Sequence, residues 1–292
     1  MGFTSYSVEN RTLRSETLGY TTNSFDTIFT QNQERRIHES MSPVGVAIRE
    51  ARDSDAHPTT IPIILNLDVT GSMGSIPHEL IKTGLPKMMS SLIQNGVKDA
   101  ALLFTAIGDH EVDSYPLQIG QFESGDEELD MWLTRTYVEG GGGANIGESY
   151  LLAWYFAAFH TEIDSLIKRN QKGFLFTIGD EPGLEVIPEK ALKEIFGDGQ
   201  YKRWTDKELL EKAREKYHVF HLFIERGWRR ESAKAYWDNL LGQDNIIVDS
   251  IDRIPELVSN TILKVVNQEG ALIVDTKSQT SDGDSSDAEE ML

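Results

Sequence analysis

The stretch IPIILNL, residues 61–67, runs directly into DVTGSMG, residues 68–74. A short, uninterrupted apolar run is typical of a strand that is buried on both faces, as in a parallel sheet. The second part offers a carboxylate and two hydroxyls at alternate positions of a tight turn, where two glycines allow the backbone to bend sharply. Together the two parts predict a buried strand that ends in a loop with candidate ligand side chains.

Outward from this stretch, further apolar runs alternate with segments of helical periodicity. The other predicted strands are residues 100–107, 116–122, 173–178, 218–225 and 245–248. The predicted helices are residues 76–96, 126–136, 146–163, 190–196, 205–217, 232–241 and 254–266. This alternation is typical of βαβ units with right-handed crossovers. The sequence therefore predicts an α/β fold, a Rossmann-like, doubly wound and mostly parallel central sheet with helices on both faces.

Changes in composition divide the chain into three parts. Residues 1–58 form a polar N-terminal extension, with a helix expected at residues 43–52, which is either a flexible arm or an arm packed on the domain. The α/β domain is expected at residues 59–268, because His57 precedes a proline and is pushed to extended geometry. Residues 269–292 form an acidic tail for which we predict disorder.

Charge and composition exclude several classes of protein. The chain has 292 residues, of which 39% are hydrophobic and 26% charged, enough for one large domain with extensions. Its formal net charge of −19 repels phosphate backbones and anionic lipids. Nucleic acid and membrane surfaces are therefore not expected as partners. The absence of cysteine excludes disulfides, zinc–thiolate sites and cysteine nucleophiles.

The N-terminal sequence has no apolar core of signal-peptide length, and no run approaches the roughly 18 apolar residues of a membrane span. We therefore expect a cytoplasmic protein.

The first loop supplies Asp68, Thr70 and Ser72. If these three side chains point to one spot, their oxygens suit a hard cation such as Mg²⁺. Taken alone, the same residues are equally compatible with an ordinary strand-to-helix turn in which Asp68 or Thr70 caps the helix.

Two later loops also follow predicted strands or precede predicted helices. Residues 140–149, GGGGANIGES, place Glu148 in the first turn of a predicted helix. Residues 177–183, TIGDEPG, place Asp180 and Glu181 just past a buried strand. Each has a plain structural interpretation, a glutamate that complements a helix dipole in the first case and a solvated acidic turn in the second.

Taken together, the three loops resemble the metal-ion-dependent adhesion site of von Willebrand factor A domains. That site takes D-x-[ST]-x-S after the first strand, a threonine or acidic residue from a glycine-rich loop, and an aspartate after the fourth strand. DVTGSMG matches the first element closely, and the resemblance covers roughly residues 59–268. The chain looks most like the bacterial and tailed-phage members. The resemblance implies the von Willebrand factor A fold and a protein-binding function.

This chain departs from the family pattern at two positions. Ala144 stands where many members have a coordinating threonine. Integrin β subunits instead use a glutamate at the start of the helix, and Glu148 matches that position. Ile178 stands where members usually carry the aspartate directly after the strand, so the resemblance assigns that role to Asp180, two residues further on. Glu181 is the alternative.

The resemblance also implies how the site acts. Thr70 and Ser72 bind Mg²⁺ directly, while Asp68 and Asp180 hold coordinated waters and orient the hydroxyls. Mn²⁺ or Ca²⁺ are alternatives to Mg²⁺. One coordination position stays open and is filled by an aspartate or glutamate of a partner protein. By analogy with some bacterial members, an AAA+ ATPase is a candidate partner.

A second metal position is a further hypothesis, taken from integrin β domains. Asp109 follows the second strand, and Asn145 and Glu148 come from the glycine loop. The alternative is an ordinary acidic surface loop around Asp109.

Two rival functions stay open. One is a metal-independent scaffold whose site has decayed, as Ala144 and Ile178 suggest. The other is a Mg²⁺-dependent phosphatase of the haloacid dehalogenase type, but the position of its aspartate nucleophile holds Asn66, which cannot form an aspartyl-phosphate. No nucleophile–base pair is evident, so we predict no catalysis by this chain.

Overall fold

The computed structural model describes residues 4–139, 147–226 and 229–281, with side chains at all of these except Ser72 and residues 270–281. The strands are β1 (Arg49–Ala51), β2 (Ile61–Asp68), β3 (Ala100–Ile107), β4 (Leu117–Ile119), β5 (Thr161–Ile163), β6 (Gly173–Gly179), β7 (Val186–Ile187), β8 (Trp204–Thr205), β9 (Tyr217–Ile224) and β10 (Asn245–Val248). The first helices are α1 (Val8–Leu18), α2 (Phe25–Ile28), α3 (Gln31–Glu34), α4 (Ser75–Glu79), α5 (Leu85–Gln94) and α6 (Asp126–Thr134). The remaining helices are α7 (Leu151–Phe159), α8 (Asp164–Arg169), α9 (Glu189–Phe196), α10 (Asp206–Arg214), α11 (Arg230–Leu241) and α12 (Ile254–Ser281).

The main sheet has the strand order β10-β9-β6-β2-β3-β4 in the described part of the chain. All neighbouring strands are parallel except β3 and β4, which are antiparallel at one edge. The chain builds outward from β2 to β3 and β4 on one side, and from β6 to β9 and β10 on the other. The strand order therefore reverses between β2 and β6, and ligands of open α/β sheets bind at the carboxyl end of such a switch point.

Successive residues of β2 face opposite sides of the sheet, as the pleat requires. Ile63, Leu65 and Leu67 join an apolar core with α5, α6 and α12, whereas Ile64 joins a second core with α7, α9, α10 and α11. Both faces of β2 are therefore covered, which explains its continuous apolar sequence. The predicted class, a doubly wound, mostly parallel α/β fold with helices on both faces, is confirmed.

The N-terminal segment lies against this domain. The Arg11 side chain of α1 is 1% exposed, and its Nε donates to Asp130 of α6 at 2.7 Å. Further along, β1 pairs in parallel with β5, and the Arg52 guanidinium donates to Asp164 at 2.9 Å. Residues 4–52 thus contact the domain at both ends of the segment.

Several predicted helices have other bounds in the structure. Residues 43–52 contain strand β1 instead of a helix, because Arg49 donates its N–H to the His160 carbonyl and continues into the pairing with β5. Residues 76–96 form α4, a π-turn at Leu80–Gly84 and then α5. Pro86 has no N–H to donate, so a regular α-helical hydrogen bond is missing there.

The predicted helix 146–163 is shorter and starts later, since α7 covers Leu151–Phe159 and β5 follows. The last helix, α12, continues to Ser281, well past the predicted end at residue 266. Disorder was predicted for residues 269–292; helix α12 covers the first of them, and residues 282–292 lie outside the described part. No helix within the described ranges combines the length and the apolarity that crossing a bilayer requires.

Candidate metal centre

The switch point brings together side chains from all three loops. Asp68 is the last residue of β2 and is fully buried, and Thr70 is 6% exposed in the turn that follows. The Thr70 hydroxyl oxygen lies 2.7 Å from Asp68 Oδ1 and 3.0 Å from Glu148 Oε1. Asp180 directly follows the neighbouring strand β6, whose last residue, Gly179, lies beside Asp68. The structure therefore brings Asp68, Thr70 and Glu148 into contact and places Asp180 in the adjoining loop, one residue after Gly179.

Local backbone geometry fixes the first loop. The N–H of Thr70 donates to Asp68 Oδ1 at 2.9 Å, an Asx-type turn in which an aspartate accepts from the residue two positions on. The Gly71–Met73 segment then forms one 3-10 turn before α4. The chain thus leaves β2 in a tight turn that holds the Thr70 side chain beside Asp68.

The second loop reaches the site in an extended conformation and not as the first turn of a helix. Glu148 donates its N–H to the Pro182 carbonyl at 2.9 Å and accepts from the N–H of Leu184 at 2.9 Å. Because both backbone groups of Glu148 are used in this bridge, α7 begins only at Leu151. The expectation that Glu148 lies in the first helical turn was wrong, although its carboxyl group does meet Thr70.

Strand β6 ends one residue later than the sequence pattern suggested, so the third loop also starts one residue later. Strand β6 continues through Gly179, which lies next to Asp68, so Asp180 directly follows the strand. We expected Asp180 to lie two residues beyond the end of the strand, and in the structure it lies one residue beyond it. The Glu181 carboxylate lies 3.6 Å from Arg229, and its backbone carbonyl accepts from Trp237 Nε1 at 3.0 Å.

Burial and mutual repulsion govern the charges of the cluster. Burial raises the pKa of Asp68, and the charge of Asp180 adds to this, while hydrogen bonds from Thr70 and Tyr150 oppose it. Burial and the charge of Asp68 likewise raise the pKa of Glu148. Glu148 Oε2 is buried and has no hydrogen-bond partner among the described atoms. A cation would relieve both the repulsion and the unsatisfied oxygen.

Part of the predicted site cannot be located. The Ser72 side chain and the whole of Asn145 lie outside the described residues. Asp109, the other residue of the hypothetical second metal position, is 2% exposed; its Oδ1 accepts from the Glu111 N–H, and its Oδ2 has no partner among the described atoms. Within the described ranges, no group of three or more histidine, aspartate or glutamate side chains is arranged as a metal centre. A metal site would therefore depend on hydroxyl oxygens as well, and the ligand assignment stays a prediction.

Sequence reasoning missed two residues of this cluster. Tyr150 is fully buried and its hydroxyl donates to Asp68 Oδ2 at 2.9 Å. A Cβ atom at Gly179 would overlap the Tyr150 hydroxyl and lie 2.8 Å from Asp68 Oδ2. No motif signals either residue, because their roles depend on where α7 begins and how far β6 extends.

Comparisons with known proteins gave matches among solved structures alone. No protein-family model matches the chain, and no curated protein matches it. The pilus adhesin SpaC from Lactobacillus rhamnosus GG superposes with a TM-score of 0.47 at 12% identity, over 75% of this chain and 31% of the adhesin. Proximal thread matrix protein 1 from the mussel byssus gives 0.45 at 12% identity, over 74% of this chain and 48% of its own.

A second structure of that matrix protein, described as having a zinc-occupied MIDAS motif, gives a TM-score of 0.42 at 12% identity, over 74% of this chain and 48% of its own. The chain thus spans less than half the length of each of these proteins.

Proposed function

We propose that this chain is a divalent-metal-dependent protein-binding domain that captures an acidic side chain of a partner. The observation that supports the proposal is the contact of Asp68, Thr70 and Glu148 at the switch point of the sheet, next to the loop that carries Asp180. Buried carboxylates are normally paired or bound to a metal. Here the Thr70 hydroxyl contacts the buried carboxylates of Asp68 and Glu148, and Glu148 Oε2 has no hydrogen-bond partner in the described part.

The donor set is that of a hard cation. Thr70 and Ser72 would offer neutral hydroxyl oxygens, while Asp68, Glu148 and Asp180 would supply carboxylate oxygens or orient waters. Mg²⁺ prefers such oxygen ligands, and Mn²⁺ or Ca²⁺ would accept the same groups. When bound, the ion would supply a positively charged position at which a carboxylate of a partner can be held. Within the chain, Asp68 keeps the Thr70 hydroxyl in place through the 2.7 Å contact.

Binding, and not catalysis, is the function that this arrangement favours. The phosphatase alternative requires an aspartate at position 66, but Asn66 is fully buried inside β2 and its amide donates to Thr105 at 2.7 Å. Position 66 therefore offers an amide that is hydrogen-bonded within the sheet and no carboxylate nucleophile. A cytoplasmic location and an AAA+ ATPase partner stay hypotheses from sequence and resemblance.

One alternative has an observation in its favour. Both carboxylate oxygens of Asp68 accept hydrogen bonds from this chain, Oδ1 from Thr70 and Oδ2 from Tyr150. In a metal-independent scaffold, these hydrogen bonds alone would hold the Asp68 carboxylate, and no cation would be required. The two functions differ in one measurable property, the affinity for divalent cations.

Isothermal titration calorimetry with MgCl₂ and MnCl₂ tests the proposal. Wild type is expected to bind about one ion, and Asp68→Ala to lose that binding. Asp198→Ala is the matched control, since the Asp198 side chain is fully exposed and pairs with Lys193, which is not a residue of the candidate site. Binding that is absent in wild type, or equal in wild type and Asp68→Ala, would leave the scaffold as the better description.

A partner search can use the same pair of proteins. Wild type and Asp68→Ala are used as baits, each with Mg²⁺ or with EDTA. A partner that the site recognises is retained by wild type with Mg²⁺ and lost in the other three samples. Retention in all four samples would indicate a surface outside the candidate site.

A further inference from the structure

The Tyr150 hydroxyl occupies a place at the site that no motif predicts. It donates to Asp68 Oδ2 at 2.9 Å, while Thr70 donates to the other carboxylate oxygen. A phenol hydroxyl is protonated at neutral pH, so Tyr150 can act only as the donor towards the carboxylate. Each of the two oxygens of Asp68 is thus held by a donor of this chain.

The Tyr150 ring has little freedom to move. It packs edge-on against His221 and Trp237, with centroid distances of 5.2 and 5.1 Å. His221 in turn stacks on Trp237 at 3.5 Å, and its Nδ1 lies 2.9 Å from the Thr177 hydroxyl. We call Tyr150, His221 and Trp237 the aromatic cluster. Because the aromatic cluster fixes the ring, the position of the hydroxyl is fixed as well.

The strand beside Asp68 is adapted to this hydroxyl. Gly179 of β6 lies next to Asp68, and a Cβ atom there would overlap the Tyr150 hydroxyl. An aspartate or any other side chain at position 179 is therefore excluded while Tyr150 is in place. This explains why the acidic residue of the third loop is Asp180, the first residue after the strand.

From these contacts we propose that Tyr150 is a positioning residue for the metal site. It fixes the carboxylate of Asp68 so that Oδ1 stays directed at Thr70. This inference rests on the proposed function, because it assigns Tyr150 a role through Asp68 in divalent-cation binding. Groups that orient metal ligands typically change metal affinity by about 10- to 100-fold when they are removed. Tyr150→Phe keeps the ring and removes only the donor.

Calorimetric titration of metal-free Tyr150→Phe with MnCl₂ is the test. The dissociation constant is expected to rise at least about tenfold relative to wild type. Tyr217→Phe is the matched control, because Tyr217 is also fully buried and its hydroxyl contacts Thr161 at 2.7 Å, at the amino end of the sheet. Its dissociation constant is expected to stay within twofold of wild type.

The possible outcomes separate the two proposals. Wild type that binds no divalent cation overturns the proposed function and this inference together. Wild type that binds, with Tyr150→Phe equal to it, overturns only the role of Tyr150. A purely structural role would lower the unfolding temperature of both tyrosine variants and leave the dissociation constant of the folded protein unchanged. If Tyr150→Phe does not fold, Gly179→Ala is the second variant, since its methyl group displaces the hydroxyl from Asp68.

Discussion

Thr70 has one hydroxyl proton and two carboxyl neighbours. The proton can be donated to Asp68 or to Glu148, and the two oxygens lie 2.7 and 3.0 Å away. The Thr70 N–H and the Tyr150 hydroxyl also donate to Asp68, whereas Glu148 Oε2 has no partner among the described atoms. Burial and repulsion between the two carboxylates raise the pKa of both Asp68 and Glu148. Glu148 is therefore held by fewer hydrogen bonds than Asp68, and its position depends on the residue before it.

The backbone conformation of Gly147 places the next residue, Glu148, in contact with Thr70. Its φ of +112° is unfavourable for any residue with a side chain, and a Cβ atom would lie 3.0 Å from the Pro182 carbonyl oxygen. We predict that Gly147→Ala lowers the free energy of unfolding by about 1–3 kcal/mol and weakens Mn²⁺ binding. Urea denaturation and calorimetric titration measure the two effects.

Gly96→Ala is the control for backbone strain. Gly96 has a φ of +92°, but nothing lies within 4 Å of the added methyl group. This variant should lose stability and keep the wild-type affinity for Mn²⁺. If Gly147→Ala and Gly96→Ala bind Mn²⁺ with equal affinity, the backbone conformation of Gly147 does not position Glu148 for metal binding.

At the scale of secondary-structure elements, backbone hydrogen bonds connect the second loop directly to the third loop. Glu148 bridges to Gly183, and the carbonyl of Glu181 accepts from Trp237 of α11. The aromatic cluster then connects α11 to the start of α7 through Tyr150. The candidate site is therefore held by α7, α11 and two strands, which gives it a rigid support.

Another group of contacts holds the N-terminal segment on the domain. Asp164, the first residue of α8, accepts from Arg52 Nη1 and from the Asp53 N–H at 2.9 Å each, and it pairs with Lys168 at 2.6 Å. Burial alone would raise the pKa of Asp164, but Lys168, Arg52 and the Asp53 N–H lower it from 3.8 to about 2. The folded state therefore favours the charged form more than the unfolded chain does.

The sign of the pH dependence follows from this lowered pKa. The stabilisation by Asp164 is fully present above pH 4 and is lost as the pH falls towards about 2. We predict that Asp164→Asn lowers the free energy of unfolding at pH 7 by about 1–2 kcal/mol. The difference from wild type should shrink as urea denaturation is repeated from pH 4.5 down to pH 2.5. Asp198→Asn, at a fully exposed position, should show no such difference.

At the scale of the whole molecule, the sequence predicted the sheet better than the site. Buried strands such as β2 and β6 carry continuous apolar runs, because helices cover both faces of the sheet. The start of α7 was misplaced because Glu148 uses its backbone groups in a long-range bridge. No local pattern records a partner that lies 35 residues further along the chain.

Two of the candidate residues could be derived from strand ends alone, whereas Thr70 and Glu148 came from the resemblance in the loops. Asp68 and Asp180 follow apolar runs, so the rule for switch points applied to them directly. Tyr150 and Gly179 were not predicted, because the Tyr150 hydroxyl fits beside Asp68 only when residue 179 has no Cβ atom. The same limit holds for α1, whose polar sequence hides the buried pair of Arg11 and Asp130.

The net charge of −19 means that a test of specific Mg²⁺ binding needs a control for nonspecific attraction of cations. Any acidic protein attracts Mg²⁺ diffusely, whereas a specific site stabilises the folded state by mass action. At 100 times its dissociation constant, Mg²⁺ should raise the free energy of unfolding of wild type by about 2.7 kcal/mol, and the unfolding temperature by several degrees. Thermal unfolding monitored by circular dichroism measures this shift. KCl at equal ionic strength, and Asp68→Ala with Mg²⁺, should each produce at most a small part of it. An equal rise in all three samples would mean that screening of the acidic surface, and not the cluster at the switch point, accounts for the stabilisation.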